Sequence, residues 1–476
     1  MNGRFRCALV AGVLSCALLS CGAGDPKNGD DAGLADAAPR DTAGTADRVE
    51  EDAGPLDIRG PDDVAARRDE TGGADADTAQ PADPFKQAGN WAAFDANNIG
   101  DLKTVGYFGA IYDGRYVYHV PCRDNAGFHA RALRHDTQGE FKDAGSWSAF
   151  DAAGTDGLGT VGYGGGAFDG RYVYYAPFTH DEARHAEVLR YDTEGEFDQA
   201  TSWSAHDASN IGGTKAVGFV DAVFDGRYVY FSPFGYAPFA HGRVIRYDTQ
   251  GDFKAAESWA VHDAGFTGGL ITKGYYGLIL EGKYIYFVPF NDGTEFHGRV
   301  LRYDTSADFK SESSWSSYDA GFTDEMDTRG YKMAASDGRF IYFVPFRTST
   351  AGCHGRVLRY DTEGDFGDSG SWRAWDAGAT DQLETTAYVG AVFDGTHIYF
   401  CPYSHGAVDF HAMALRHDTT ADFLSPESWA AFEANPIDGL TTKGYKGIVF
   451  DGRYVHYTPY YDGTALRFDT AGQSGQ

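Results

Sequence analysis

Six histidines recur at steps of 56 or 57 residues: His129, His185, His241, His297, His354 and His411. Histidine changes charge near neutral pH and is the commonest metal ligand, so a ring of six raises metal, acid–base and ligand-contact chemistry together. Cations gather in the second half of the chain, at Lys273, Arg329, Lys332, Lys443 and Lys446. A single acid, Asp221, stands where most equivalent positions carry glycine. An aromatic series runs in phase with these residues: Tyr107, Tyr163, Phe219, Tyr275, Tyr331, Tyr388 and Tyr445. Aromatics beside His, Arg and Asp suit sugars, through stacking on ring faces and bidentate hydrogen bonds. Tyr275 and Tyr331, which neighbour the cations, are therefore candidate ligand contacts along with the histidines, the cations and Asp221.

Metal chemistry is the weaker reading. Ring-related histidines stand on the order of 10 Å apart, whereas a zinc ligand sits about 2.0–2.1 Å from its ion. There is no CxxC pair, and neither a metal nor a cofactor is expected. Of the six cysteines, three fall within the first 21 residues. Among Cys122, Cys353 and Cys401 at most one disulfide can form, and Cys353 with Cys401 is the candidate pair. Acid–base catalysis needs a unique constellation. The best asymmetric group is Asp221, Arg329, Lys332 and Lys446, which lacks the paired carboxylates of a glycosidase.

The elements that position these residues follow from the repeat. Tryptophan recurs at 91, 147, 203, 259, 315, 372 and 429. A turn and strand of the form DGRYVY, and a run LRYDT, each occur seven times in phase with it. Periods of this length mark repeat architectures. Each copy parses into four strands. In the fourth copy these are 274–280, 283–289, 297–304 and 314–319, rich in β-branched and aromatic residues. The Asp-Gly pair between the first two strands predicts a type I′ hairpin turn. The arginine of LRYDT is expected to pair with an aspartate such as Asp304 or Asp319, and the tryptophan to pack between neighbouring copies. Glycines 109, 165, 277, 390 and 447 fall in the innermost strands, where backbones crowd.

The ends complement each other. Residues 85–91 form a fourth strand without the three before it, and 466–470 a third strand without a fourth after it. This resembles the closure of β-propeller proteins. It implies an all-β, seven-bladed β-propeller of four-stranded blades, spanning 85–476 and closed by strands from both termini, which leaves no sheet edge exposed. The turns between strands one and two and between three and four then share one face and are uniform. The remaining loops share the other face and vary, which is where binding concentrates on rigid scaffolds.

Residues 1–21 carry Arg4 and Arg6 ahead of an apolar run, as a signal peptide does. The run ends in Leu18-Leu19-Ser20-Cys21, which resembles the lipobox of bacterial lipoproteins. The resemblance implies lipidation at Cys21. Gly22, in place of an inner-membrane-retaining Asp, implies the outer membrane or cell surface. Residues 22–84, mostly Asp, Ala, Gly, Thr and Pro, predict a disordered acidic linker. The net charge of -29 opposes binding to nucleic acid and leaves the lipid as the only membrane contact. The function expected is recognition on the variable-loop face, with a glycan or protein ligand and possible avidity from repeated blades. The alternatives are a polysaccharide lyase or hydrolase in the central funnel, and a protein-partner scaffold. The chain is not expected to be an enzyme.

Overall fold

The repeat folds as the alternation of its side chains dictates. In every copy the second strand, YVYYAP in Tyr172–Pro177, is buried from its second residue onward because both of its faces are covered by sheet neighbours. The computed structural model describes residues 83–180, 183–234, 240–349, 352–406 and 409–472. Within these lie seven four-stranded antiparallel sheets. They form a seven-bladed propeller whose inner strands succeed one another around the axis, blade 7 meeting blade 1. The inner strands of blades 1 to 7 are Tyr107–Tyr112, Tyr163–Phe168, Phe219–Phe224, Tyr275–Glu281, Tyr331–Ser336, Tyr388–Phe393 and Tyr445–Phe450. Blade 7 is completed by Trp91–Asp95, whose Trp91 pairs with Phe468 and Asp95 with Thr464. The expected leader 1–21, its Cys21 and the linker up to residue 82 lie outside the described residues. The fold itself takes in Asp83 and Pro84, two residues earlier than expected: Asp83 accepts a hydrogen bond from the Phe85 amide and pairs with Arg416 at 2.7 Å.

The tryptophans join the blades. Trp147 of blade 1 stacks on Phe94 of blade 7 at 5.2 Å, and Trp315 of blade 4 on His262 of blade 3 at 4.8 Å. Each indole N–H donates to a backbone carbonyl six residues earlier, as Trp315 does to Phe309 at 3.1 Å. Arg416 forms an ion pair, with Asp83, but the other LRYDT arginines make a different contact from the one expected. Arg302 lies between two rings, 4.3 Å from Tyr284 of its own blade and 4.2 Å from Phe366 of the next. Its Nε–H donates to Ser316. Facing rings hold the half-buried guanidinium without requiring a second desolvated charge. The aspartate of LRYDT is taken by the other basic residue of the repeat: Arg115 pairs with Asp136, and Lys283 with Asp304, each at 2.7 Å.

The Asp-Gly turns also depart from expectation. Gly114 has φ 99° while Asp113 is not left-handed, so the turn is not type I′. The aspartate stabilises it by another route: Asp113 Oδ1 accepts from the amides of Arg115 and Tyr116, and Oδ2 from the Tyr118 hydroxyl at 2.7 Å. The inner-strand glycines are where backbones converge; a Cβ on Gly447 would lie 2.6 Å from the Gly109 carbonyl carbon. The Cys353–Cys401 disulfide does not form. Both are free thiols, with Cys353 facing the His405 carbonyl and Cys401 the Gly447 carbonyl.

Candidate functional site on the variable-loop face

The loops of this face are held down by the histidine ring. His297 Nε2–H donates to the Lys273 carbonyl at 2.8 Å, and its Nδ1 accepts from the Arg299 amide at 3.2 Å. His129, His241 and His354 repeat the pattern with Val105, Val217 and Arg329, and His185 does so at longer range with Gly162. His411 accepts from the Met413 amide and stacks on His405 at 4.3 Å. These bonds fix the neutral ring with its proton on Nε2. Burial drives the same way, pushing His129, His185, His241 and His297 down to about 4 and His354 and His411 to about 3. Five of the rings, with both nitrogens committed to backbone, thus fasten an incoming loop to the start of a third strand; His411 Nε2 has no such partner. The in-phase aromatics lie beneath them. Tyr275 and Tyr331 are fully buried and meet His297 and His354 edge to face at 5.8 and 5.9 Å.

At the axis each inner strand shifts register just after its first residue, as between Tyr275 and Leu278. A bulge of this kind re-aims side chains, and the second residue of the strand reaches the axis. Phe108 of blade 1 and Tyr276 of blade 4 meet there, 6.3 Å apart. A second tier comes from the residue after the second strand in blades 2 to 7: Phe178, Phe234, Phe290, Phe346, Tyr403 and Tyr460, with Cys122 at this place in blade 1. Successive members touch, from Phe178–Phe234 at 5.1 Å to Tyr403–Tyr460 at 5.8 Å. All are buried, so the axis at this level is filled by aromatic rings. Lys332 and Lys446 enter this layer at the same strand position as Phe108 and Tyr276, each 3% exposed. The Lys332 ammonium lies 3.9 Å from the Phe346 ring, and that of Lys446 3.9 Å from Tyr460 and 4.0 Å from Phe108. Both lie within 5.4 Å of the Tyr403 ring.

The other expected site residues are not gathered with this pair. Arg329 is neutralised locally by Asp327, with contacts of 2.6 and 2.8 Å. Lys273 and Lys443 are half-buried in their own loops, on blades 4 and 7. Asp221 sits one residue further along the inner strands, 9% exposed. Burial pushes its carboxyl up to about 7, against backbone amides of Ala222, Leu278 and Gly166 that favour the charge. It thereby links blades 2, 3 and 4 and does not project into open space. Among the described residues no group of His, Cys, Asp and Glu is arranged to hold a metal ion.

Two sets of residues escaped the sequence reading. One is the second aromatic tier, whose signal was present in the aromatic that follows the strand-two proline in six of the seven copies. The other is a pair of exposed rings. Phe266 and Phe322 occupy equivalent positions in the loops into blades 4 and 5, and are 72% and 74% exposed. Each opens a two-residue hairpin, Phe266 pairing with Ile271 and Phe322 with Asp327. The hairpins are anchored by Thr267 and Thr323, whose hydroxyls donate to the carbonyls of Ala264 and Ala320. Ile271 is 51% exposed beside Phe266.

No protein-family model matches the chain, and neither does any curated protein. The seven-bladed β-propeller is therefore the level at which the chain is classified, a fold compatible with binding and scaffold roles.

Proposed function

We propose that the propeller is a recognition module and that its variable-loop face holds a glycan. The observation that carries this reading is the pair Phe266 and Phe322, exposed apolar rings on anchored hairpins of adjacent blades. A ring already fixed loses little freedom when a sugar stacks on it, and two such platforms let weak contacts add. The six histidines support the reading indirectly, because they make the face rigid. A lyase or hydrolase at the funnel has less support: rings fill the axis, and Asp221 is engaged by backbone amides. A protein-partner scaffold has one observation in its favour, the apolar patch of Phe266, Ile271 and Phe322.

A glycan array probed with the soluble propeller and with its Phe266→Ala/Phe322→Ala variant separates these readings. Wild-type binding to a restricted set of glycans, lost in the variant, is the expected result. Silence across the array for the folded protein would refute the glycan reading and leave the scaffold. The same proposal has the chain exported and lipid-anchored through Cys21 at the outer membrane or cell surface. Mass spectrometry of the mature amino-terminal peptide should find Cys21 carrying diacylglycerol; an unmodified terminus at another residue would contradict it.

A further inference from the structure

Every seam between neighbouring blades repeats one ring contact, from the third residue of a second strand to the fifth residue of the next blade's third strand. Four seams pair two tyrosines: Tyr118–Tyr191 and Tyr174–Tyr247 at 5.9 Å, Tyr230–Tyr303 and Tyr286–Tyr360 at 5.7 Å. The next two pair Tyr342 with His417 and Tyr399 with Phe468. The seam between blades 7 and 1 alone joins two imidazoles, His456 and His135, 5.6 Å apart.

A third imidazole lies in the same seam. His119 of blade 1 has Nδ1 3.0 Å from the Thr458 hydroxyl of blade 7, and the other six copies carry Tyr or Phe at its place. Its ring stacks on Trp147, which also meets His135 at 4.5 Å. All three histidines are buried. In a tyrosine seam the hydroxyls have fixed partners: Tyr174 donates to Asp169 at 2.7 Å and Tyr247 to the Gly251 carbonyl at 2.9 Å. His456 keeps the first of these bonds, donating to Asp451 at 2.7 Å. His135 loses the second: among the described residues neither of its nitrogens has a hydrogen-bond partner, nor has Nε2 of His119.

The charges around the seam offer little support to a second or third proton. His135 faces His456, Arg467 and Asp451 across the seam, with Asp136 beside it. His456 faces Asp451 and Arg467, and His119 faces His135, His456 and the Tyr107 ring. Asp136 is already engaged by Arg115, and Asp451 by the amides of Arg453 and Tyr454. Around Arg467 stand Tyr454, Glu140 and Asp469, the last paired with Arg453. Burial is the largest influence on all three histidines; it lowers each and pushes His135 down to about 3. Exposed imidazoles protonate near 6.5. Opening the seam therefore takes up protons and is favoured as pH falls below that value. Blade 7 is also where the ring closes: Trp91–Asp95 joins Thr464–Asp469 with no chain connection between them inside the blade.

We infer that the seam between blades 7 and 1 is an acid-released joint. When its histidines take up protons, blade 1 parts from the second and third strands of blade 7 and carries Trp91–Asp95 with it, while the tyrosine seams stay closed. The joint is independent of what the variable-loop face binds.

Hydrogen exchange followed by mass spectrometry at pH 7, 6 and 5, corrected for intrinsic rates, tests the inference. Each histidine that protonates only on opening raises the opening constant by up to about tenfold per pH unit. Between pH 7 and pH 5 the amides of Trp91–Asp95 and Thr464–Asp469 should lose at least about a hundredfold more protection than those of Trp203–Asp207 and Glu187–Asp192 in blade 2. His135→Tyr/His456→Tyr, which copies the tyrosine seams, should cut that excess at least tenfold. The converse variant, Tyr174→His/Tyr247→His, should give blade 2 an acid response of its own. Equal responses of blades 7 and 2 in the wild type, an unchanged excess in folded His135→Tyr/His456→Tyr, or an unresponsive blade 2 in folded Tyr174→His/Tyr247→His would each overturn it.

Discussion

On the face of the short turns, one arrangement is repeated almost without change. Asp169 accepts from the amides of Arg171 and Tyr172 and from the Tyr174 hydroxyl, and Asp113, Asp225 and Asp337 do the same in their blades. On the opposite face a constant layer, the histidine ring, carries loops that differ from blade to blade. The loop into blade 2 contains a short 3₁₀ turn, Thr155–Gly157, while those into blades 4 and 5 contain the hairpins that bear Phe266 and Phe322. The contrast separates two kinds of residue. Where all blades agree, the side chain has a bonding partner that the fold requires. Where one or two blades depart from the rest, as at Lys332, Lys446, Phe266 and Phe322, the other blades show that the fold is built without that residue.

The contrast can be broken most severely with acid. The six ring histidines stay neutral in the folded chain down to about 4 or 3, while in the unfolded chain they protonate near 6.5. The unfolded state therefore binds more protons in that window. Their contribution is complete above pH 6.5 and is lost as pH falls toward 4, by up to about 1.4 kcal/mol per pH unit for each histidine. Asp221 runs the other way: with its carboxyl raised to about 7, its contribution is present below about 3.9 and is lost as pH rises toward 7. Asp462, also raised by burial, acts in the same sense as Asp221, but six histidines outweigh two acids, so urea midpoints followed by tryptophan fluorescence should fall steadily from pH 7 to pH 5. A flat or rising profile would contradict the role assigned to the ring.

On the uniform face, Asp169→Ala removes the acceptor of two amides and leaves the Tyr174 hydroxyl without its partner. A loss of about 2–3 kcal/mol is expected by denaturant unfolding. A change below about 0.5 kcal/mol would mean that water replaces the carboxylate at no cost. The smallest effect on stability belongs to the variable loops. Phe266→Ala/Phe322→Ala takes away rings that are already mostly in solvent, so it should alter stability by no more than about 0.5 kcal/mol. A larger loss would make these rings part of the fold and remove the main support for a binding role.

The architecture was legible in the sequence because a period of 56 leaves one way to close the ring, and because the two end fragments complete a single sheet. The roles of individual side chains were less legible, for a common reason: their partners lie on another blade or on the backbone. Arg302 is sandwiched by Phe366, a residue of the next repeat. His297 bonds a carbonyl 24 residues earlier, a contact that no residue type announces. The Asp113 turn looked like type I′ because the Asp-Gly pair suits that backbone, yet the carboxylate, by accepting two amides, stabilises another conformation. Cys353 and Cys401 sit in consecutive repeats but face different carbonyls. Asp221, a candidate ligand contact by sequence, instead turns into the crowded inner strands.

The central claim is that the variable-loop face recognises a ligand through residues the fold does not need. Surface plasmon resonance of the wild type and of Phe266→Ala/Phe322→Ala against an array-identified glycan, with melting temperatures measured in parallel, tests it most directly. Affinity reduced at least tenfold at an unchanged melting temperature is the expected result. Equal affinity in the two proteins, or a loss of binding that follows a loss of stability, would contradict it.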